Sequence, residues 1–181
     1  GALELLKLQG ARYIEAAPTR FWEWEVLEAA HAGGTLGELV AGFAARMAFW
    51  GLQVSSLQAI LYKKPDLLLF GSVEARTQLG AHMRMVVDLV SVLRDANIVR
   101  PGDAVPIVFG APKNRQRPEG MSEEEADAIF VEVFSPLARY AHERGCVFCV
   151  EPNAPDYACN YITTSGDAKR LVERIGHPGM R

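Results

Sequence analysis

Short apolar runs alternate along this chain with longer stretches in which apolar residues return every three to four positions. That rhythm predicts strands and helices in turn. Residues Ala2 to Gln9 read as a helix closed by Gly10, and Arg12 to Ala16 as a short strand. A loop with Pro18, Thr19 and Arg20 follows, and His31 also falls in a loop. Thr35 and Glu38 have capping-box spacing, which predicts a helix from there to about Trp50. Gly51 to Ser56 is the second strand. A long helix runs from Ser72 to about Asn97, with Val86, Val87, Leu89, Val90 and Leu93 on its apolar face. Val105 to Gly110 is the third strand. Ser122 and Glu125 form a second capping box and open a helix to about Arg144. Cys146 to Glu151 is the fourth strand. Thr164 and Asp167 start a last helix, carried by Leu171, Val172 and Ile175 and ended by His177-Pro178-Gly179.

Strict alternation of helix and strand argues an α/β domain with a parallel sheet, its strands linked by helical crossovers. Residues 1–181 form one domain, since nothing in the chain resembles a low-complexity linker. A closed eight-unit barrel takes about 250 residues. Four strands and five helices therefore match a portion of a TIM barrel, and a free-standing doubly wound sheet is the simpler alternative. Strand starts that recur at regular intervals, with polar groups behind several of them, favour the barrel.

Composition narrows the function classes. Hydrophobic residues make up 49% of the chain and mean hydropathy is +0.03, as burial of a sheet on both faces requires. A net charge of −3 supplies no field to recruit nucleic acid or an anionic membrane. No apolar stretch approaches the roughly 18 residues of a membrane span. The first residues, Gly1-Ala2-Leu3-Glu4, do not read as a secretory leader. Three cysteines make no disulfide framework, so the cytoplasm is the expected compartment.

Glu151 is the residue that stands out. It ends the apolar run Cys146-Val147-Phe148-Cys149-Val150 and precedes Pro152, which cannot donate to a ladder. An unpaired carboxylate does not belong in a core. At the C-terminal tip of a parallel strand it faces the place where ligands bind in α/β folds. Other strand tips carry Glu15, Thr19 and Arg20 after the first strand, Gln58 after the second, and Lys113, Asn114 and Arg115 after the third; Asn153 follows Glu151. Carboxylates, cations and amides on one rim suit a polar, oxygen-rich substrate and a hard cation. Cys146 and Cys149 are three apart on a strand and face opposite sides, so they share neither a metal nor a bridge.

The segments Ile14-Glu15-Ala16-Ala17-Pro18-Thr19-Arg20, Ser55-Ser56-Leu57-Gln58, Val108-Phe109-Gly110-Ala111-Pro112-Lys113-Asn114-Arg115 and Val150-Glu151-Pro152-Asn153 together resemble the sugar phosphate isomerase/epimerase family of xylose isomerase-like TIM barrels. The resemblance spans nearly the whole chain. It implies a sugar or sugar phosphate as substrate and a divalent cation (Mn, Mg, Co or Zn) as cofactor. Glu151 matches the family's metal-binding carboxylate and is the implied catalytic residue. Asn153, Lys113, Asn114, Arg115, Glu15, Arg20 and Gln58 are the implied substrate-binding residues. The family's remaining metal ligands lie on later strands, so a partial barrel with an incomplete site is expected, and its open strand edges and apolar surface favour self-association. A sugar-binding module without turnover is the alternative. An apurinic-site endonuclease fits less well, because the chain has only 4 His.

Overall fold

The computed structural model describes residues 1–102 and 104–181. Its four strands, β1 (Tyr13–Ala16), β2 (Gln53–Leu57), β3 (Val105–Phe109) and β4 (Cys146–Val150), form one parallel sheet in the order β1-β2-β3-β4. Spatial order therefore equals chain order. A doubly wound sheet reverses direction at a switch point; this sheet does not, and its strands follow one another in chain order as barrel strands do. Residues near 180 extend it, since Met180 bridges Phe148 in parallel and Arg181 exchanges backbone bonds with Phe148 and Val150. Gly179 lies so close to the end of a neighbouring helix that a Cβ there would sit 1.9 Å from the Ala138 carbonyl oxygen.

Among the described residues there are six α-helices: α1 (Ala2–Leu8), α2 (Trp24–Ala32), α3 (Leu36–Trp50), α4 (Val73–Asp95), α5 (Glu123–Glu143) and α6 (Ser165–Ile175). Among the longer ones, α3 packs on α4, α4 on α5 and α5 on α6, so the helical layer follows the sheet strand by strand. The Ser122–Glu125 and Thr164–Asp167 capping boxes both form as their spacing predicts. The Thr35–Glu38 box does not. Thr35 Oγ1 instead donates to the Ala30 carbonyl at 3.4 Å, because α2 ends just before it. Helix α2 is the main departure from the sequence reading. The segment read as a loop, His31 included, is helical, and it buries Trp24, Leu27 and Ala30 at successive turns. It has no side-chain N-cap, which removed the signal that announces a helix. The described residues accordingly hold six α-helices rather than five.

Alternation along the strands divides the sheet into two faces. Val105, Ile107 and Phe109 of β3 turn toward the helices and are almost fully buried. Phe109 packs 4.7 Å from Phe134, which stacks on Phe130 at 4.4 Å. The opposite face carries Ser56, Pro106, Val108 and Cys149, all half-buried, with Glu15 exposed. In a barrel this face points inward.

Candidate active site at the strand tips

The ends of β3 and β4 are built around two residues, Gly110 and Arg115. Gly110 is the position after β3, in register with Glu151 after β4. A Cβ on Gly110 would lie 1.7 Å from Glu151 Oε2 and 2.9 Å from its Cδ. The carboxylate thus occupies the space a side chain would take, and glycine is what lets it lie across the strand tip. Glu151 is exposed and its side chain makes no ion pair or hydrogen bond among the described residues. Its backbone N–H continues the ladder to the Phe109 carbonyl at 3.2 Å, so the main chain is held while the carboxylate stays free.

Arg115 does the holding. It is 0% exposed, although it follows a strand in a loop. One Nη donates to the Phe109 carbonyl at 3.1 Å. The other donates to the Glu151 carbonyl at 2.7 Å and to Asn153 Oδ1 at 2.8 Å, with the Ile162 carbonyl at 3.4 Å. A planar fork of this kind can bond two strand ends and a loop at once, which an ammonium cannot. Burial pulls the guanidinium's proton affinity below its ordinary value, opposed by neighbouring Cys159 and by the charge of Glu151.

The other candidates divide into two groups. Asn114 is buried, and its side-chain Nδ2 donates to the Lys64 and Leu67 carbonyls at 2.7 and 3.0 Å while its backbone carbonyl accepts from Leu69 N–H. It fastens the loop after β2 to the tip of β3. Asn153 offers its Oδ1 to Arg115. Asn114, Arg115 and Asn153 therefore spend polar groups inside the chain. Lys113 and Gln58 are exposed at the same end of the sheet, with their side chains unengaged among the described residues.

Glu15 and Arg20 stand apart from Glu151. Glu15 aligns with Ser56, whose hydroxyl donates to it at 2.9 Å, and through the register with Val147. Strand geometry then puts it roughly 13 Å lower along the strands and about 14 Å across them from Glu151. Arg20 lines a separate cleft with Phe21, Arg46 and Trp50. Phe21, Trp22 and Phe43 pack as an aromatic cluster, and Trp24 is buried with its Nε1 donating to the Tyr62 carbonyl at 2.7 Å.

The cysteines have little chemistry to offer. Burial pushes the Cys146 thiol up to about 12, which leaves almost no thiolate at neutral pH. Cys149 faces the other side of β4 and is half-buried, as strand alternation requires. Cys159 reads from sequence as a loop cysteine, but it is 4% exposed and lies 3.9 Å from Arg115 Nη2, a contact the sequence does not announce. No local signal links it to a residue 44 positions earlier.

Comparison with solved structures decides the architecture. The chain superimposes on a xylose isomerase domain protein from Alicyclobacillus acidocaldarius subsp. acidocaldarius with a TM-score of 0.62 at 15% identity. The match covers 99% of this chain and 55% of that one. The fold is a partial xylose isomerase-like barrel. The chain spans about half the length of the structure it matches, and the shared feature is the fold. No family model matches the sequence, and no curated protein matches it. Among the described residues, no helix is long and apolar enough to cross a membrane.

As a ligand for a hard divalent cation, Glu151 fits: it is an exposed, unengaged carboxylate with space cleared for it by Gly110. Among the described residues no three His, Cys, Asp or Glu side chains converge on one point. The contribution read from this chain is therefore a single carboxylate.

Proposed function

We propose that this chain carries part of the strand-tip site of a sugar or sugar-phosphate isomerase or epimerase. The observation that supports this reading best is the free Glu151 carboxylate lying over Gly110 at the adjoining tips of β3 and β4. Such a reaction moves a proton to and from a carbon next to a carbonyl, and needs a general base within reach of that carbon, a role a carboxylate can fill. Glu151 is placed to serve as a cation ligand or as the proton carrier, and Arg115 keeps its backbone in place through the 2.7 Å bond to the Glu151 carbonyl. A bound divalent cation would supply Lewis-acid stabilisation of charge on the substrate oxygens. Lys113, exposed and unengaged, is suited to a distal phosphate or carboxylate.

A sugar-binding barrel without turnover is the second reading. It is favoured by the commitment of Asn114, Arg115 and Asn153 to internal bonds, which leaves fewer groups for substrate. Deuterium exchange separates the two. Ketoses, aldoses and their phosphates are incubated in D₂O with Mn²⁺ and the protein, and the α-carbon proton is followed by NMR. Exchange that disappears in Glu151→Gln, with the fold intact by circular dichroism, is the expected result. Exchange retained in the variant removes Glu151 from the chemistry. Absence of exchange with any sugar, together with sugar binding, establishes the second reading.

A further inference from the structure

The loop between β4 and α6 is strained. Ala158 and Ile162 both adopt left-handed backbone, with φ of 58° and 62°. L-residues avoid that region because Cβ crowds the following carbonyl, and a β-branched residue there is a clear outlier. Such residues persist only where their surroundings enforce them. Ile162 is enforced from all sides. It is 2% exposed, and its carbonyl accepts from Asn153 N–H at 3.2 Å and from Arg115 at 3.4 Å. Ala158 is exposed, and the Gln116 side chain donates to its carbonyl at 2.8 Å.

The segment 154–160 is also lightly tied down. Its flanks are fixed: Asn153 is bonded to Arg115, and the buried Tyr161 donates its hydroxyl to Asp127 at 2.9 Å. Between them every residue except Cys159 is exposed. Besides the Gln116 bond, the segment meets the loop after β3 through one reciprocal pair. Arg117 N–H donates to Asn160 Oδ1 at 2.7 Å, and Asn160 Nδ2 donates to the Arg117 carbonyl at 2.8 Å. Both bonds are exposed to solvent. Exposed hydrogen bonds with little buried apolar surface mark the parts of a protein that open locally.

We propose that residues 154–160 form a strap that opens as a local unit between Asn153 and Tyr161 while the sheet stays folded. Opening relaxes Ala158, breaks the Asn160–Arg117 pair and carries the Cys159 thiol away from Arg115, which it meets at 3.9 Å when closed. Water then reaches the guanidinium that holds the Glu151 carbonyl and competes for its bonds across the strand tips. The closed strap thereby keeps the tips of β3 and β4 in order. Its bearing on catalysis rests on the function proposed for Glu151; the opening itself does not.

The test is native-state labelling of the full chain with excess N-ethylmaleimide, each cysteine being followed by peptide mass mapping. Cys146 is 0% exposed within β4 and reports opening of the sheet. Cys159 is expected to label faster than Cys146 and at a rate unchanged by low urea, whereas Cys146 accelerates with urea. Ala158→Gly takes up left-handed backbone without penalty and should slow Cys159 about threefold. Asn160→Ala removes the reciprocal pair and should speed it about tenfold. Cys159 labelling that matches Cys146 in rate and urea dependence, a rate in Ala158→Gly that is unchanged or faster, or a rate in Asn160→Ala that is unchanged or slower would each overturn the proposal. No sugar or metal enters the measurement, so its failure is distinct from failure of the isomerase reading.

Discussion

Arg115→Met is expected to destabilise the protein by about 3 kcal/mol, although the residue follows a strand in a loop and looks like a ligand-binding cation. The substitution keeps most of the apolar stem and removes the fork, whose central carbon lies 5.5 Å from the centre of the Phe109 ring. The Glu151 carbonyl and Asn153 Oδ1 then lose their donor, and the Phe109 carbonyl keeps only the Glu151 N–H. A hydrogen bond to a charged group contributes about 1.5–3 kcal/mol, and a buried acceptor left unpaired costs about 1–3. Two or three such losses exceed the estimate, but relief from burying a guanidinium that has no carboxylate partner offsets part of them. Urea unfolding of the two proteins measures the difference. Arg115→Lys should recover only a fraction of it, since one ammonium cannot span both strand tips. A midpoint for Arg115→Met equal to wild type would show that the strand ends hold themselves.

Asp127→Ala should cost a similar amount, about 3 kcal/mol. Asp127 is 1% exposed on α5, and it accepts from Tyr161 Oη at 2.9 Å, Arg170 Nε at 2.9 Å and Arg174 Nη1 at 3.2 Å. These bonds tie α6 and the loop after β4 to α5. Removing one member of a buried ionic cluster typically costs about 3–5 kcal/mol, because the partners are left uncompensated. Here the two arginines reach solvent with a third of their side-chain surface, so water recovers part of the loss; Tyr161, 3% exposed, cannot be rehydrated in place. Urea denaturation checks the magnitude, and Tyr161→Phe in the Asp127→Ala background should add little further loss. A neighbouring control, Glu124→Gln, removes only a surface partner of Arg174 and should leave the midpoint near wild type.

What the sequence discloses about this fold is what periodicity and caps encode. Strands β3 and β4 are apolar runs of the right length, β1 and β2 are short mixed segments, and the helices opened by Ser122 and Thr164 carry their capping residues in plain view. Helix α2 lacks such a cap, and its buried face of Trp24, Leu27 and Ala30 was hidden among aromatic residues that read equally well as a packed loop. Glu151 was legible because a carboxylate at the end of an apolar strand breaks the pattern. The division of labour around it was not. Nothing local distinguishes exposed Lys113 from buried Arg115 two positions later, since the difference arises from carbonyls 6, 36 and 47 residues away. Gly110 is similar: its need for hydrogen in place of a side chain comes from a carboxylate on another strand.

Under the proposed function, Glu151 is the carboxylate through which this chain meets a hard cation. Paramagnetic broadening by Mn²⁺, followed in the amide spectrum at low metal-to-protein ratio, tests that directly and does not require tight binding. The amides of Gly110, Glu151 and Asn153 should broaden first, and Glu151→Gln should abolish the effect there while leaving the rest of the spectrum in place. Broadening centred instead on Glu15 or on the acidic start of α5, or broadening at Gly110 that survives in Glu151→Gln, would contradict it.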